Sequence, residues 1–419
     1  MTWPSCNSTL EHETIQEVDL WDGGITFHTL CVIISAVCLV ISSFLAGIII
    51  LGHARHYSRP AEQRYVIRIL FMIPIYTLTS FLCIYFYKWS VYFELIGYCY
   101  EPFAIASFFT LLCSYIAPEL HDQKEFFRHI EPVNWVWPIP WMQKCTGGQK
   151  GPWRKPRSGL TWFNVCDLCY AIIMDDRGYK LTIFKVIWIG VFQYCFLRLI
   201  LTILAVAAES KNLYCEDSDN IAFAHVWVLI IESVAVTIAM YCLIQFYIQT
   251  KNDIAQHQPF IKILCIKLVI FLSFWQSTII DFLTSSGVVK SSAKVVLQDW
   301  NNALPYVLIS IEMCFFAILH FWGFPWRPYV IATGPAVANS AQYYRGGKLG
   351  AKALVDAMNP SDLVKANARG LRWLFVGRKK RMGDPSYDLP KRETGVETGE
   401  ASSPRPQEMI SEAQISGLR

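Results

Sequence analysis

The chain has 419 residues, of which 53% are hydrophobic and only 17% are charged, and its formal net charge is +4. A water-soluble globule of this size needs more charged surface, so the composition argues against a soluble domain and favours an integral membrane protein. We therefore expect membrane lipids as partners and no nucleic-acid partner.

Seven windows of about 20 residues are almost free of charge, which is the helix length that crosses a bilayer core of about 30 Å. They are residues 25–51, 66–87, 97–117, 183–207, 222–248, 261–283 and 303–324. Because several are longer than this and carry Trp and Tyr at their ends, membrane spans are favoured over the buried core helices of a soluble protein. The sequence therefore predicts an all-α fold, an integral membrane bundle of seven helices.

The distribution of Lys and Arg predicts the orientation of this bundle. Basic residues concentrate after spans one, three and five and in the tail, which places the N-terminus outside or lumenal and the C-terminus in the cytoplasm. No cleavable signal peptide is expected, because the chain starts with an acidic segment that has no basic residues. An Asn-Ser-Thr triplet makes Asn7 a candidate glycosylation site. The sequence leaves open whether the protein resides in the plasma membrane or in an endomembrane, vacuolar or endosomal.

These signals divide the chain into four parts. The expected order is an outer segment, 1–24; the transmembrane domain, 25–329, with a long cytoplasmic loop, 118–182; an amphipathic basic segment, 330–382; and a disordered tail, 383–419. In the third part, Asn359, Pro360 and Asp362 form the capping pattern of a helix start. The tail is rich in Pro, Ser, Glu and Gly, a composition typical of disorder.

Polar side chains inside the predicted spans are the candidate functional residues. A charge at the bilayer centre costs about 2.5 to 3.5 kcal/mol, so one that persists is expected to face the bundle interior and to have a partner. The set is Gln193, Arg198, Glu232, Lys267, Gln276 and Glu312, with Glu101 near the outer end of the third span. We predict that Arg198 pairs with Glu232 or Glu312.

This polar centre is expected to border a cavity that holds an amphipathic organic solute or a lipid. Arg198 and Lys267 would steer an anion, and Trp275 would cover its apolar body, as is usual in small-molecule sites. The alternative is that these groups only hold helices together through hydrogen bonds, each contributing about 0.6 to 2 kcal/mol. The sequence leaves both interpretations open.

The stretch RPAEQRYVIRILFMIPIY enters the second span from the cytoplasmic side. It places Arg59, Glu62, Arg64 and Arg68 at the mouth of that span, where basic groups suit phospholipid head groups. Further along, Pro74 deprives the carbonyl four residues before it of a donor and predicts a kink.

Two groups of cysteines lie at or beyond the ends of the predicted spans. Cys99 and Cys215 fall on the outer side and are candidates for a disulfide in an oxidising lumen. Cys145, Cys166 and Cys169 fall in the basic, Trp-rich cytoplasmic loop, which favours S-palmitoylation over inert thiols. Zinc is disfavoured, because a lone Cys-x-x-Cys lacks a second matched pair of ligands.

Five segments, taken together, resemble one known family. They are HARHYSRPAEQRYVIRILFMIPIY, YEPFAIASFFTLLCSYI, KVIWIGVFQYCFLRLILT, PFIKILCIKLVIFLSFWQ and ISIEMCFFAILHFWGFPW, in this order. They are similar to the organic solute transporter alpha-subunit family, and more closely to its transmembrane protein 184 branch, in the form found in fungi. The resemblance covers residues 25–329 and includes the Tyr-Glu start of the third span at Glu101 and a cysteine cluster between helices.

The resemblance implies a seven-helix membrane protein. For the animal alpha subunit it implies export of steroid-like and bile-acid-like anions together with a single-span beta subunit, so a beta-type partner or a homodimer is a candidate assembly. The expected function is therefore a transporter or binder of amphipathic organic solutes, with a membrane scaffold, trafficking or signalling protein as the alternative. An enzyme, a cofactor and a metal site are not expected, because the sequence has no phosphate loop and no catalytic or paired metal-ligand motif.

Overall fold

A computed structural model of the protein describes residues 17–20, 24–118, 122–123, 126, 133–145, 182–211, 213–214, 221–285, 288, 292–296, 299–330, 344–362, 364–365 and 368. The chain divides into two units, Met1–Gly370 and Leu371–Arg419, and every described residue belongs to the first. The predicted glycosylation site Asn7, the cysteines Cys166, Cys169 and Cys215, and the predicted disordered tail lie outside the described residues.

Helices build the described part of the chain, in which no strand occurs. In chain order they are α1 (Phe27–Arg55), α2 (Pro60–Leu70), α3 (Met72–Tyr85), α4 (Ser90–Ile116), α5 (Ile139–Cys145), α6 (Thr182–Glu209), α7 (Ala224–Thr250), α8 (Pro259–Ser285), α9 (Leu304–Gly323) and α10 (Ala351–Met358). A π-helical turn, Asp299–Ala303, leads into α9. The predicted all-α fold is confirmed.

Six helical stretches of the described chain are long and apolar enough to cross a membrane. They are Phe27–Arg55, Pro60–Tyr85, Tyr87–Ile116, Ile187–Glu209, Ala224–Thr250 and Asp299–Gly323. The sixth predicted span, 261–283, lies within α8, which is not among these six and has several side chains outside the described residues. The seven-span count and the orientation therefore stay predictions. We call the end of the bundle where α1 begins the predicted outer end, and the opposite end the predicted cytoplasmic end.

Local sequence signals explain where helices begin and break. The Thr26 side chain caps α1 by accepting a hydrogen bond from the backbone N–H of Thr29. Pro60 stands in the first turn of α2, where its missing N–H removes no helical bond. The helix is interrupted at Phe71, next to the carbonyl that Pro74 leaves without a donor, so the predicted kink is found as a break between α2 and α3.

The long helices pack into one continuous core. Helix α1 packs against α3 and α9, α4 packs against α2, α3 and α6, α6 packs against α7, and α8 packs against α9. Each contributes fully buried apolar side chains, among them Ile49, Leu70, Phe108, Phe246 and Met313. Close approach of α6 and α7 depends on Gly190, because a Cβ there would meet the Cys242 sulfur at 2.4 Å.

The outward faces of these helices are also apolar. Phe44 on α1, Ile203 on α6, Val234 on α7 and Phe315 on α9 are each more than half exposed. A helix that is apolar on all sides suits the hydrocarbon core of a bilayer, where outward side chains contact lipid and not water. The exposed faces therefore agree with the membrane class that the composition indicates.

Candidate functional site

Arg198 is held in the centre of the bundle by the buried stripe of α6. Val191, Tyr194, Arg198, Leu201 and Ala205 recur every three or four residues and are all buried, so they share one helix face. The guanidinium of Arg198 forms an ion pair with the carboxylate of Glu232 on α7. Of the two partners predicted for Arg198, the structure places Glu232 against it.

The Arg198 side chain makes further contacts with α4. Its Nε donates a hydrogen bond of 3.3 Å to the backbone carbonyl of Tyr98, and its guanidinium carbon lies 4.2 Å from the centre of the Tyr98 ring. Contact with an aromatic face adds a cation–π attraction. The guanidinium therefore ties α6 to both α4 and α7.

Glu101 on α4 belongs to the same cluster. It is buried, it lies close enough to Arg198 to interact with its charge, and it shares a hydrogen bond with the Tyr194 hydroxyl of α6. Nearby, the Gln193 amide donates a hydrogen bond of 3.0 Å to the Ala235 carbonyl of α7. We call Glu101, Tyr194, Arg198 and Glu232 the α4–α6–α7 cluster; each of its side chains interacts with another member of the cluster.

Glu312 and Gln276 differ from this cluster in having buried polar atoms that no described residue pairs. Glu312 on α9 and Gln276 on α8 are both half-buried, and the buried Oε2 of Glu312 and Nε2 of Gln276 have no hydrogen-bond partner within the described part of the chain. A buried polar atom without a partner costs free energy, of the order of 1 to 3 kcal/mol. This pair thus offers one acceptor and one donor inside the bundle.

The packing of α8 against α9 brings these two residues to a similar depth. A Cβ on Gly323 of α9 would lie 3.0 Å from the Cys265 sulfur and 3.6 Å from an Ile261 methyl of α8, which fixes the register of the two helices. The two helices run in opposite directions. The residue eleven positions before Gly323 on α9 therefore lies level with the residue eleven positions after Cys265 on α8. Glu312 therefore lies level with the turn of α8 that contains Gln276. We call this pair the α8–α9 site.

Lys267 and Trp275 also lie on α8, and their side chains are outside the described residues. Lys267 is nine residues from Gln276, about two and a half helical turns, so the two positions fall on opposite faces of α8. Trp275 is next to Gln276 in the chain and lies in the same turn. Of the polar residues predicted as one centre, Glu101, Arg198 and Glu232 thus lie in the α4–α6–α7 cluster and Gln276 and Glu312 in the α8–α9 site.

The four residues predicted at the cytoplasmic mouth serve contacts within the protein. Glu62 accepts a hydrogen bond of 2.9 Å from the Tyr329 hydroxyl and lies 3.5 Å from a guanidinium nitrogen of Arg59. Arg64 donates to the Tyr65 hydroxyl at 3.0 Å and lies 4.0 Å from the Asp362 carboxylate. Arg59 has the most exposed side chain of these four residues, so it can still contact a phospholipid head group.

Arg68 is fully buried, which removes it from contact with lipid head groups. It donates two hydrogen bonds of 2.8 and 2.9 Å to the Asp362 carboxylate and two more to the backbone carbonyls of Ala357 and Asn359. A planar guanidinium bound to a carboxylate at two points is a strong and geometrically specific contact. We call residues 344–362, which Arg68 fastens to the predicted cytoplasmic end, the C-terminal clasp.

The clasp makes additional contacts with the end of α1. Tyr57 donates a hydrogen bond of 2.6 Å to the Asp356 carboxylate, and burial together with that carboxylate raises the pKa of the Tyr57 hydroxyl. Gly350 adopts a left-handed backbone with φ of 85° and packs on Ala54, where a Cβ would lie 2.6 Å from that side chain. The sequence pattern indicated a helix start at Asn359 and did not indicate that this segment folds back onto α1 and α2.

The remaining site predictions concern cysteines and metals. Cys145 is exposed at the end of α5, which is compatible with acylation, and Cys99 lies in α4. The palmitoylation and disulfide predictions stay predictions, because Cys166, Cys169 and Cys215 lie outside the described residues. Among the described residues, no group of three or more His, Cys, Asp or Glu side chains is arranged to hold a metal ion.

The apolar outward faces, the six candidate spans and the buried polar groups define a multi-pass integral membrane protein. A family model described as organic solute transporter Ostalpha matches residues 31–329, so the chain belongs to this family of solute transporters. The resemblance read from the five segments is thereby confirmed.

A curated relative supports the branch within the family. The chain is 27% identical over 292 residues to a transmembrane protein 184 homolog of Dictyostelium discoideum, an alignment that covers 69% of this chain and 51% of the relative. The chain thus spans about half the length of this relative. No solved structure matches the chain.

Proposed function

We propose that the protein binds an amphipathic organic solute at the α8–α9 site and moves it across or within the membrane. The observation that carries this proposal is the pair of buried polar atoms, Glu312 Oε2 and Gln276 Nε2, that have no partner within the described residues. Membership of a solute transporter family supports the same function.

The chemistry of the pair favours a particular kind of polar group on the solute. Glu312 Oε2 can accept a hydrogen bond and Gln276 Nε2 can donate one, so a hydroxyl, which does both, satisfies them together. The surrounding helices are apolar and suit a rigid hydrocarbon body. A hydroxyl-bearing, steroid-like molecule is the solute that best fits this arrangement.

The α4–α6–α7 cluster is less suited to hold the solute. Arg198 is already paired with Glu232 and lies near the Glu101 carboxyl, so its positive charge is balanced within the protein. A solute anion would have to displace one of these carboxylates. We therefore propose that the cluster holds the helices together. In this proposal the solute is bound by hydrogen bonds at the α8–α9 site and not by attraction of a solute anion to Arg198.

Photochemical labelling tests this proposal. Purified protein would be irradiated with a diazirine-bearing steroid that keeps one hydroxyl, and the labelled peptides would be mapped. We expect label on α8 and α9 that an excess of the unmodified steroid prevents, and a severalfold decrease in Gln276→Leu. The matched variant Gln193→Leu should label normally.

Two outcomes would contradict the proposal. One is label confined to outward faces such as that of Val234, with no competition by the unmodified steroid, which indicates contact from the bilayer alone. The other is equal labelling of Gln276→Leu and the unsubstituted protein.

A further inference from the structure

The predicted outer end carries a short segment that lies across the start of the bundle. The backbone N–H of Val18 donates a hydrogen bond of 2.8 Å to the Ala293 carbonyl, and the N–H of Leu20 donates one of 3.0 Å to the Ile25 carbonyl. The Lys294 ammonium donates to the Leu20 carbonyl at 2.8 Å. We call residues 17–20 the outer strap; it joins the start of α1 to the chain that leads into α9.

A group of titratable side chains lies beneath the outer strap. Glu17 accepts hydrogen bonds from the backbone N–H of His28 at 3.0 Å and of Val296 at 3.4 Å. The His28 ring nitrogen Nδ1 lies 2.9 Å from Oδ1 of Asp299, the first residue of the π-helical turn. Asp299 is only 1% exposed, so its carboxyl is removed from water.

The two carboxyl groups also contact each other. His28 brings them together, because its backbone N–H bonds to Glu17 and its ring bonds to Asp299. The buried Oδ2 of Asp299 has no N–H or hydroxyl partner among the described residues, and the carboxyl of Glu17 is its neighbour. Two ionised carboxylates can only accept hydrogen bonds, so this contact requires a proton on one of them. Burial, the bond to Asp299 and the charge of Asp299 raise the pKa of Glu17 to about 7.

We propose that Glu17 and Asp299 bind one proton between them, and that this proton holds the outer strap on the bundle. When the proton leaves, two carboxylates face each other in a buried place and repel, and the strap detaches from α1 and from the chain before α9. This is a proton-binding site separate from the α8–α9 site, and it does not depend on the proposed function.

The direction of the pH dependence follows from the raised pKa of Glu17. The docked strap binds the proton more tightly than the released strap does, so docking is fully favoured below the ordinary pKa of a glutamate, 4.5, and is lost as the pH rises through about 7. The outer strap is therefore expected to be closed in an acidic compartment and open at mildly alkaline pH.

Other titratable groups lie around the pair on the elements packed against it. On α1, the His28 ring contacts Asp299, and the buried Cys31 thiol lies near both carboxyls. In the 3-10 turn that precedes α4, the Tyr87 ring lies 5.6 Å from the His28 ring. Lys294 contacts the Leu20 carbonyl of the strap and neither of the two carboxyls in the described structure.

Hydrogen exchange of the full-length protein in lipid nanodiscs tests the proposal. The amides of Val18, Leu20, His28 and Val296 would be followed from pH 5.5 to 8.5, with correction for the intrinsic effect of pH on exchange. We expect protection to fall at least tenfold with a midpoint near pH 7. In Glu17→Gln, whose neutral amide can donate to Asp299 without titrating, protection should be independent of pH.

A control variant and a competing assignment make the test decisive. Lys294→Met removes a strap contact and leaves Glu17 and Asp299 unchanged, so it should lower protection at every pH and keep the midpoint. The proposal is overturned if unsubstituted protein shows no pH dependence, or if Glu17→Gln keeps the midpoint. A midpoint that persists in Glu17→Gln and disappears in His28→Gln would assign the switch to the histidine instead.

Discussion

Two groups of polar residues lie inside the same bundle and differ in how their hydrogen-bonding capacity is used. In the α4–α6–α7 cluster, Arg198 is paired with Glu232, contacts Tyr98 and lies near Glu101. At the α8–α9 site, Glu312 and Gln276 each present a buried polar atom without a partner in the described chain. In the first group the charge of Arg198 is paired within the protein, and in the second the two polar atoms are not paired by any described residue.

This difference separates structural from functional polar groups better than charge does. An arginine within an apolar span looks like the stronger candidate for binding an anion, because charges in membranes are costly and often functional. A buried charge whose partners are all supplied by the protein has already been compensated. The more informative sign is a buried donor or acceptor that the protein itself leaves unsatisfied.

Removing Arg198 should have the largest effect on stability. Arg198→Leu leaves Glu232 and Glu101 without their cation, and loss of one partner of a buried pair costs roughly 3 to 5 kcal/mol. We expect a markedly lower melting temperature in detergent, measured by thiol exposure. Arg198→Lys keeps the charge and loses the planar guanidinium, so its melting temperature should lie between those of Arg198→Leu and the unsubstituted protein. An unchanged melting temperature in Arg198→Leu would remove the structural role of the cluster.

Removing Arg68 should have a smaller effect that is confined to the predicted cytoplasmic end. Arg68→Met forfeits four hydrogen bonds to the C-terminal clasp, but Asp362 is partly exposed and can be solvated when released, so we expect a loss of about 2 kcal/mol. Limited proteolysis should cut within residues 344–362 much faster than in the unsubstituted protein. Asp362→Asn should share this sensitivity, and equal cleavage of all three proteins would show that the clasp is held by other contacts.

Removing Gln193 should have the smallest effect on stability. Gln193→Met breaks a single hydrogen bond to the Ala235 carbonyl between α6 and α7, which contributes about 0.6 kcal/mol in a membrane. The melting temperature should shift by no more than a few degrees, and solute binding should be retained. Loss of binding in a folded Gln193→Met protein would extend the solute site to α6 and weaken the distinction between the two groups.

The sequence predicts much of the fold because long uncharged windows have few structural solutions in a membrane. It also predicts that Arg198 must have an acidic partner, since a lone charge is too costly there. The choice of Glu232 over Glu312 depends on which helices are neighbours, and no local pattern reports that. The break at Phe71, by contrast, was predictable, because the effect of Pro74 on its own helix is local.

Long-range contacts explain what sequence reasoning missed. Asp362 fits a capping pattern with Asn359, and the Asn359 side chain does accept the backbone N–H of Ser361 at 3.1 Å. The Asp362 carboxylate nevertheless binds Arg68, which lies 294 positions earlier in the chain. Glu17 and Asp299 are similarly distant in sequence, and each alone resembles an ordinary acidic residue at a membrane boundary. Only the folded chain brings these partners together.

The most direct test of the solute site is native mass spectrometry of the purified protein, with extraction and identification of bound small molecules. Unsubstituted protein, Glu312→Leu and Glu209→Leu would be compared, the last being a matched change at the end of α6. We predict that the first and last carry a hydroxyl-bearing, steroid-like molecule and that Glu312→Leu, which has no acceptor, loses it while remaining folded. The same bound molecule in Glu312→Leu, or none in any of the three, would contradict the assignment of the α8–α9 pair as the solute site.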